Sequence, residues 1–191
     1  TQPLVFGFVA LIAFVMLLIS IRSVFLALKG VVMTVLSVAA AYGSLVMVFQ
    51  WGWLEGLGFA PITSIDSTIP PLVLAMTFGL SMDYEIFLLS RIVELHEQGH
   101  DTRSAVTLGL QRSGRIITSA ALLMVIVFSG FAAGDLLIMK QMGVALVLAI
   151  VIDATLVRML LVPATMSVLG SANWWAPAPL RRLHERWGIT E

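Results

Sequence analysis

From Pro3 to Ile21 the chain carries no charged side chain, and the stretch matches the about 20 apolar residues that an α-helix needs to cross a bilayer. Four more runs follow, at about Leu26 to Phe49, Ile69 to Ser90, Ile116 to Ala133 and Gln141 to Leu169. Composition agrees: 59% of the 191 residues are hydrophobic and 12% are charged, against about a quarter charged in a soluble domain. The expected fold is therefore an all-α integral membrane protein, a single five-helix transmembrane bundle with spans at 3–21, 26–49, 69–90, 116–133 and 141–169. Eleven basic residues balance eleven acidic ones, so no charge points to nucleic acid as a partner. The absence of cysteine removes disulfides, thiolate metal sites and cysteine nucleophiles together.

Orientation follows from where Lys and Arg fall, because cytoplasmic loops retain them. One side collects Arg22 and Lys29, then Arg91, Arg103, Arg112 and Arg115, then Arg181, Arg182 and Arg186. The other has only Lys140, and Arg158 lies within a span. This places the C-terminus in the cytoplasm and, after five crossings, Thr1 outside. A first residue that is external, is not Met and leads directly into a span predicts a fragment preceded by at least one more helix. Six-helix repeats of that kind build many secondary transporters.

Trp51, Trp53 and Phe59 in the outer connection read as interfacial anchors. On the inner side, Gly99 stops one helix. Asp101 or Thr102 caps a second piece through Gln111, whose apolar and basic residues predict an amphipathic helix lying on the membrane surface. Trp174, Trp175 and the Arg181–Arg186 stretch predict a further anchor to membrane lipids. Ala39, Ala40, Ala41, Gly43 and Ser44 suit close helix packing. Gly130 and Gly134 form a GxxxG spacing that packs helices within a chain or between copies, so a homo-oligomer is one expected partner. Pro163 predicts a kink.

The candidate chemistry lies in the charged residues inside spans. Asp83 is about 13 residues from Pro70, roughly 20 Å into the membrane by helix rise. A carboxylate there costs about 3 kcal/mol on insertion scales and marks a functional path by default. Adjacent Tyr84 carries a hydroxyl that both donates and accepts, so the two can pass a proton with no metal or cofactor. Helical spacing puts Met76, Gly79, Leu80 and Phe87 on the face of Asp83, while Glu85, about 200° around, is the weaker proton-path candidate. The structural alternative is that Asp83 staples helices by hydrogen bonding. Asp153 sits at a depth similar to that of Asp83. Arg158 is about 140° around an α-helix from it, which predicts that Arg158 pairs with a carboxylate on another helix or snorkels to the inner surface. His96-Glu97-Gln98-Gly99-His100 matches the HExxH pattern of zinc proteases, but Gly99 breaks the helix that both imidazoles would have to share.

Gly79-Leu-Ser-Met-Asp83-Tyr84-Glu-Ile-Phe87-Leu-Leu-Ser-Arg91 resembles the Asp-Tyr helix in the C-terminal half of the MmpL proteins, large mycobacterial membrane proteins of the RND superfamily. The resemblance continues through Ser113-Gly-Arg-Ile-Ile-Thr-Ser-Ala-Ala, Asp153-Ala-Thr-Leu-Val-Arg158-Met-Leu-Leu-Val-Pro163-Ala and Trp174-Trp175-Ala-Pro, and covers nearly the whole chain. It implies a proton-driven exporter of lipids or other hydrophobic molecules in the inner membrane of an actinobacterium, with trehalose mycolates as one substrate. These would be the last five of twelve helices, and their partner would be an N-terminal half with porter domains that this sequence lacks. Asp83 and Tyr84 would be half of a proton relay, and Phe87 would close it below, at the inhibitor site. Protons would be the coupling ion, no other cofactor is implied, and the chain would not be an enzyme. The competing reading is a non-transporting assembly module in which Asp83, Asp153 and Arg158 fix helix register.

Overall fold

The computed structural model describes residues 2–21, 23–57, 59, 65 and 68–174. Among them there are helices and turns and no strands: α1 (Gln2–Ile21), α2 (Val24–Leu45), α3 (Ile69–Glu97), α4 (Thr102–Ala132), α5 (Leu137–Ile152) and α6 (Val162–Leu169). A π-helical turn, Val46–Gln50, continues α2, and a longer π segment, Asp153–Leu161, joins α5 to α6. Four continuous helical stretches are long and apolar enough to cross a membrane: Val24–Gln50, Ile69–Glu97, Thr102–Ala132 and Leu137–Leu169. The 20 residues of α1 contribute a shorter described apolar helix over Gly7–Ile19. The protein is a multi-pass helical membrane bundle.

Its outer surface is that of a protein bathed in lipid or covered by more protein. Leu4, Phe8 and Ile19 on α1 and Leu122, Leu123 and Ile126 on α4 are each more than half exposed, which water would penalise and hydrocarbon does not. Backbone groups are satisfied inside each helix, and the core is left to small and aliphatic side chains. One cluster joins Leu17 and Leu26 to Leu88, Ile92, Val106 and Met166; another joins Ala41, Phe49, Ile69 and Ala145. α4 and α5 approach closely at Gly143. A Cβ on Gly143 would lie 2.3 Å from the Ala132 nitrogen and 2.7 Å from the Phe128 oxygen, so only glycine fits there.

Several sequence expectations change. The piece from Thr102 to Gln111 is not a separate surface helix. It is the first third of α4, whose 31 residues span about 46 Å, well beyond a hydrocarbon core of about 30 Å. Gly114, between Gln111 and Ile116, does not break the helix, and Gly109 is needed where α4 meets Ile92 of α3, whose Cγ1 a Cβ would approach to 2.6 Å. Lys29 is not a loop residue: it is 7% exposed inside α2, and its Nζ donates to the Val162 carbonyl at 2.9 Å. Trp51 and Trp53 are exposed side by side as anchors should be, but Phe59 turns inward, edge-on to buried Phe49 at 6.0 Å. Gly130 meets nothing within 4 Å and Gly134 touches only its own preceding turn, so the GxxxG spacing is unused within the chain. Of the small residues in α2, Ala41 and Ser44 face the core while Ala39 is exposed.

The end of α3 matches its sequence. The helix stops at Glu97, Gly99 takes φ +95°, and Asp101 begins the next helix from an extended conformation. Hydrogen bonding to Ser104 holds the exposed Asp101 carboxyl below the usual carboxylate range. Trp174 is held by side chains of α3 and α4. Its ring stacks on His96 at 3.7 Å and its Nε1 donates to Thr102 Oγ1 at 2.9 Å, which packs Trp174 over the α3–α4 turn. Trp175, Arg181, Arg182 and Arg186 lie outside the described residues, as does Arg22.

Candidate functional site

Two stripes face each other across the bundle. On α3, Thr77, Ser81 and Glu85 recur every fourth residue, and all three are buried. On α2, Gly30, Thr34, Ser37, Ala41 and Ser44 follow at spacings of four and three, and all are buried too. Small and hydroxylated side chains let the helices approach and supply hydrogen-bond donors inside a membrane bundle. The π segment adds a charged pair to this layer.

That pair is Asp153 and Arg158. Arg158 Nε donates to Asp153 Oδ2 at 2.8 Å, with both side chains almost wholly buried. Direct pairing within one helix contradicts the 140° offset expected from α-helical geometry. The reason is the π segment beginning at Asp153: i→i+5 hydrogen bonding widens the turn and brings residues five apart nearly into line. Pro163, which has no N–H to offer Met159, sits one residue into α6, so the distortion predicted at the proline occupies the two turns before it. Asp153 Oδ1 accepts from Ser37 Oγ at 2.6 Å and from Ser81 Oγ at 3.1 Å. Arg158 also donates to the Ser81 carbonyl, its Cζ lies 5.4 Å from the Tyr84 ring centroid, and its Nη1 has no partner. Asp153 is thus a carboxylate held by a guanidinium and two hydroxyls, an arrangement of charge-assisted hydrogen bonds that fixes its position.

The structure therefore brings Tyr84, Asp153 and Arg158 together around Ser81, and ties α2, α3 and the π segment at one level. It does not bring Asp83 in. Asp83 is exposed, Met76, Gly79, Leu80 and Phe87 on its face are half-buried, and a Cβ on Gly79 would meet nothing within 4 Å. Around Asp83 this face of α3 is left open by the other described residues. His96 and His100 do not share a helix face either: His100 lies beyond the end of α3, and His96 stacks on Trp174 while its Nδ1 contacts the His100 carbonyl oxygen at 2.9 Å. Among the described residues no cluster of three or more His, Asp and Glu is placed to hold a metal ion. Sequence reasoning passed over Thr34, Ser37, Ser81 and the interior position of Lys29, although the two small-and-hydroxyl stripes were there to be found at helical spacing.

The sequence model of the MMPL family matches residues 4–189. The chain belongs to the MMPL family. The MMPL relatives include the Mycolicibacterium smegmatis "Mycolic acid-containing lipids exporter MmpL11", 67% identical over 183 residues that are 96% of this chain and 19% of that protein. The Mycobacterium tuberculosis "Heme uptake protein MmpL11" is 66% identical over 177 residues, 93% of this chain and 18% of that protein. The "Trehalose monomycolate exporter MmpL3" of the same species is 40% identical over all 191 residues, 20% of its own length. This MMPL chain thus spans about a fifth of the curated relatives it matches. Their names describe transporters rather than enzymes.

Proposed function

We propose that this chain is the C-terminal transmembrane half of a proton-driven exporter of lipids or other hydrophobic molecules in a bacterial inner membrane. The observation that carries the reading is Asp83. Two residues before it Ser81 is buried, two residues after it Glu85 is buried, yet Asp83 itself is exposed on an apolar helix. An intramembrane carboxylate is costly against lipid and is kept where it faces protein or a water-filled path. The face that this chain leaves open is where a second half, with its own polar helix, would complete the site. Asp83 would take a proton from the outer side and give it up to the inner, with Tyr84 passing it and Phe87 closing the path. The Arg158 guanidinium lies beside the Tyr84 ring, so the Asp153–Arg158 pair positions the relay.

Each charge crossing 100 mV supplies about 2.3 kcal/mol, and it drives transport only if proton occupancy favours one helix arrangement over another. A neutral Asp83 can lie against an apolar partner and a charged one cannot. Lipid as cargo is proposed from the names of two relatives, MmpL11 and MmpL3 exporters, while a third MmpL11 name refers to heme uptake. The test is to reconstitute the full-length protein in vesicles with a fluorescent mycolate glycolipid and impose a proton gradient. Movement that follows the gradient and stops with a protonophore is expected. Movement indifferent to the protonophore would overturn the coupling.

A further inference from the structure

Glu85 sits on the other side of α3 from Asp83 and is 4% exposed. It is enclosed by Leu17 of α1 and by Gly30 and Thr34 of α2. A Cβ on Gly30 would lie 3.1 Å from Glu85 Oε1 and 3.2 Å from its Cδ, so the glycine leaves the carboxyl its space. Oε1 has no hydrogen-bond partner, and Oε2 meets only the Thr34 hydroxyl, at 3.3 Å.

The position of one hydrogen decides how this pocket is used. Thr34 Oγ1 is 3.0 Å from the Gly30 carbonyl and 3.3 Å from Glu85, and a hydroxyl has a single hydrogen to give. Ser37, the next residue of the same stripe, shows what happens beside an ionised carboxylate: its hydroxyl is 2.6 Å from Asp153 Oδ1 and 3.2 Å from the Met33 carbonyl. There the carboxylate takes the hydrogen in a short, charge-assisted bond. At Thr34 the order is reversed, with the carbonyl closer and the carboxyl farther away. With the Thr34 hydrogen on Gly30, the contact to Glu85 is a hydrogen bond only if Glu85 brings a hydrogen of its own.

We propose that Glu85 is a second proton-binding site, a neutral carboxylic acid that donates to Thr34 Oγ1, separate from Asp83 on the opposite side of the same helix. The proposal rests on the proton-coupled reading above. Three charged groups lie within electrostatic reach of Glu85, and none hydrogen-bonds it: Lys29, held by the Val162 carbonyl, and Asp153 and Arg158, held by each other. On its own helix Asp83 and Tyr84 are the titratable neighbours, and the sequence of α1 carries none. When the O–H bond breaks and the proton passes to water, the carboxylate attracts the Thr34 hydrogen from Gly30 and Lys29 from Val162. Occupancy of this site is thereby linked to the tie between α2 and the start of α6.

Infrared difference spectroscopy on the purified full-length transporter reads this directly. A carboxylic C=O stretch at neutral pH, sensitive to deuterium exchange, is expected in the parent protein and in Asp83→Asn, and is expected to be lost in Glu85→Gln. Gln keeps the size and neutrality of the acid, so the variant should fold. Thr34→Val supplies a second reading, with the band shifted to higher frequency by loss of its hydrogen bond. A band that survives Glu85→Gln, disappears in Asp83→Asn, or ignores Thr34→Val would overturn the assignment. Because the band is read without any transport, its loss in Glu85→Gln and failure of proton-driven export are separate results.

Discussion

Truncating Arg158 to alanine would leave the buried Asp153 carboxylate with two hydroxyl donors and no counter-charge. Breaking a buried pair in this way costs about 3–5 kcal/mol, so Arg158→Ala should unfold at markedly lower temperature in detergent. Replacing both partners by apolar residues, Asp153→Leu with Arg158→Met, should recover most of that loss. A single variant as stable as the parent would show that the pair is not charged. Asp83, Tyr84, Asp153 and Arg158 were all visible in the sequence, because an ionisable residue in an apolar run stands out. What the sequence hid was their partners. Ser37, Ser81 and Thr34 are unremarkable in composition, and only the packing of α2, α3 and the π segment brings Ser37 and Ser81 to Asp153 and Thr34 to Glu85. Lys29 was misplaced for the same reason: near the start of a span it counts as a loop cation until its ammonium is seen to reach Val162.

Each of the five apolar runs overlaps a helical stretch of the described residues, since apolar length is a strong signal, but α3 runs on to Glu97, α4 begins at Thr102, and the π segments were not expected. α4 runs unbroken from Thr102 through Gly114, with no proline between its amphipathic and its apolar parts. The π segment is the sharper case: α-helical arithmetic separates Asp153 from Arg158, and one extra residue per turn unites them. Exchanging Arg158→Val with Val157→Arg would place the guanidinium at an α-helical i+4 position; if the π geometry is intrinsic to this segment, stability should fall as it does for Arg158→Ala. Glycine positions give a matched pair. Gly143→Ala drives a Cβ into the α4 backbone and should cost about 1–3 kcal/mol, as overpacking does, whereas Gly130→Ala fills open space and should leave thermal unfolding of the monomer unchanged. Equal effects would mean that α4 and α5 are farther apart than described.

At the level of the molecule, the described residues form a bundle with a well-tied interior layer and an exposed carboxylate at Asp83. Its apolar exterior fits lipid, and the open face with Asp83 calls for protein. The charge count predicts Gln98 on the cytoplasmic side and Trp53 outside. Residues 1–191 hold no cysteine, so in the full-length protein with any cysteine elsewhere replaced, Trp53→Cys should react with an impermeant maleimide on intact cells and Gln98→Cys only after permeabilisation; the reverse pattern would invert the topology. Membership of the MMPL family fixes the protein as one of a class named for transport, and the route of the protons is the claim on which the proposed function stands. The most direct measurement is export by cells carrying the full-length protein with Asp83→Asn, with its membrane level matched to the parent. Asn keeps the size and hydrogen bonding of Asp but cannot titrate. The account predicts loss of export at normal abundance; export at the parental rate would contradict it and leave Asp83 as a structural contact between helices.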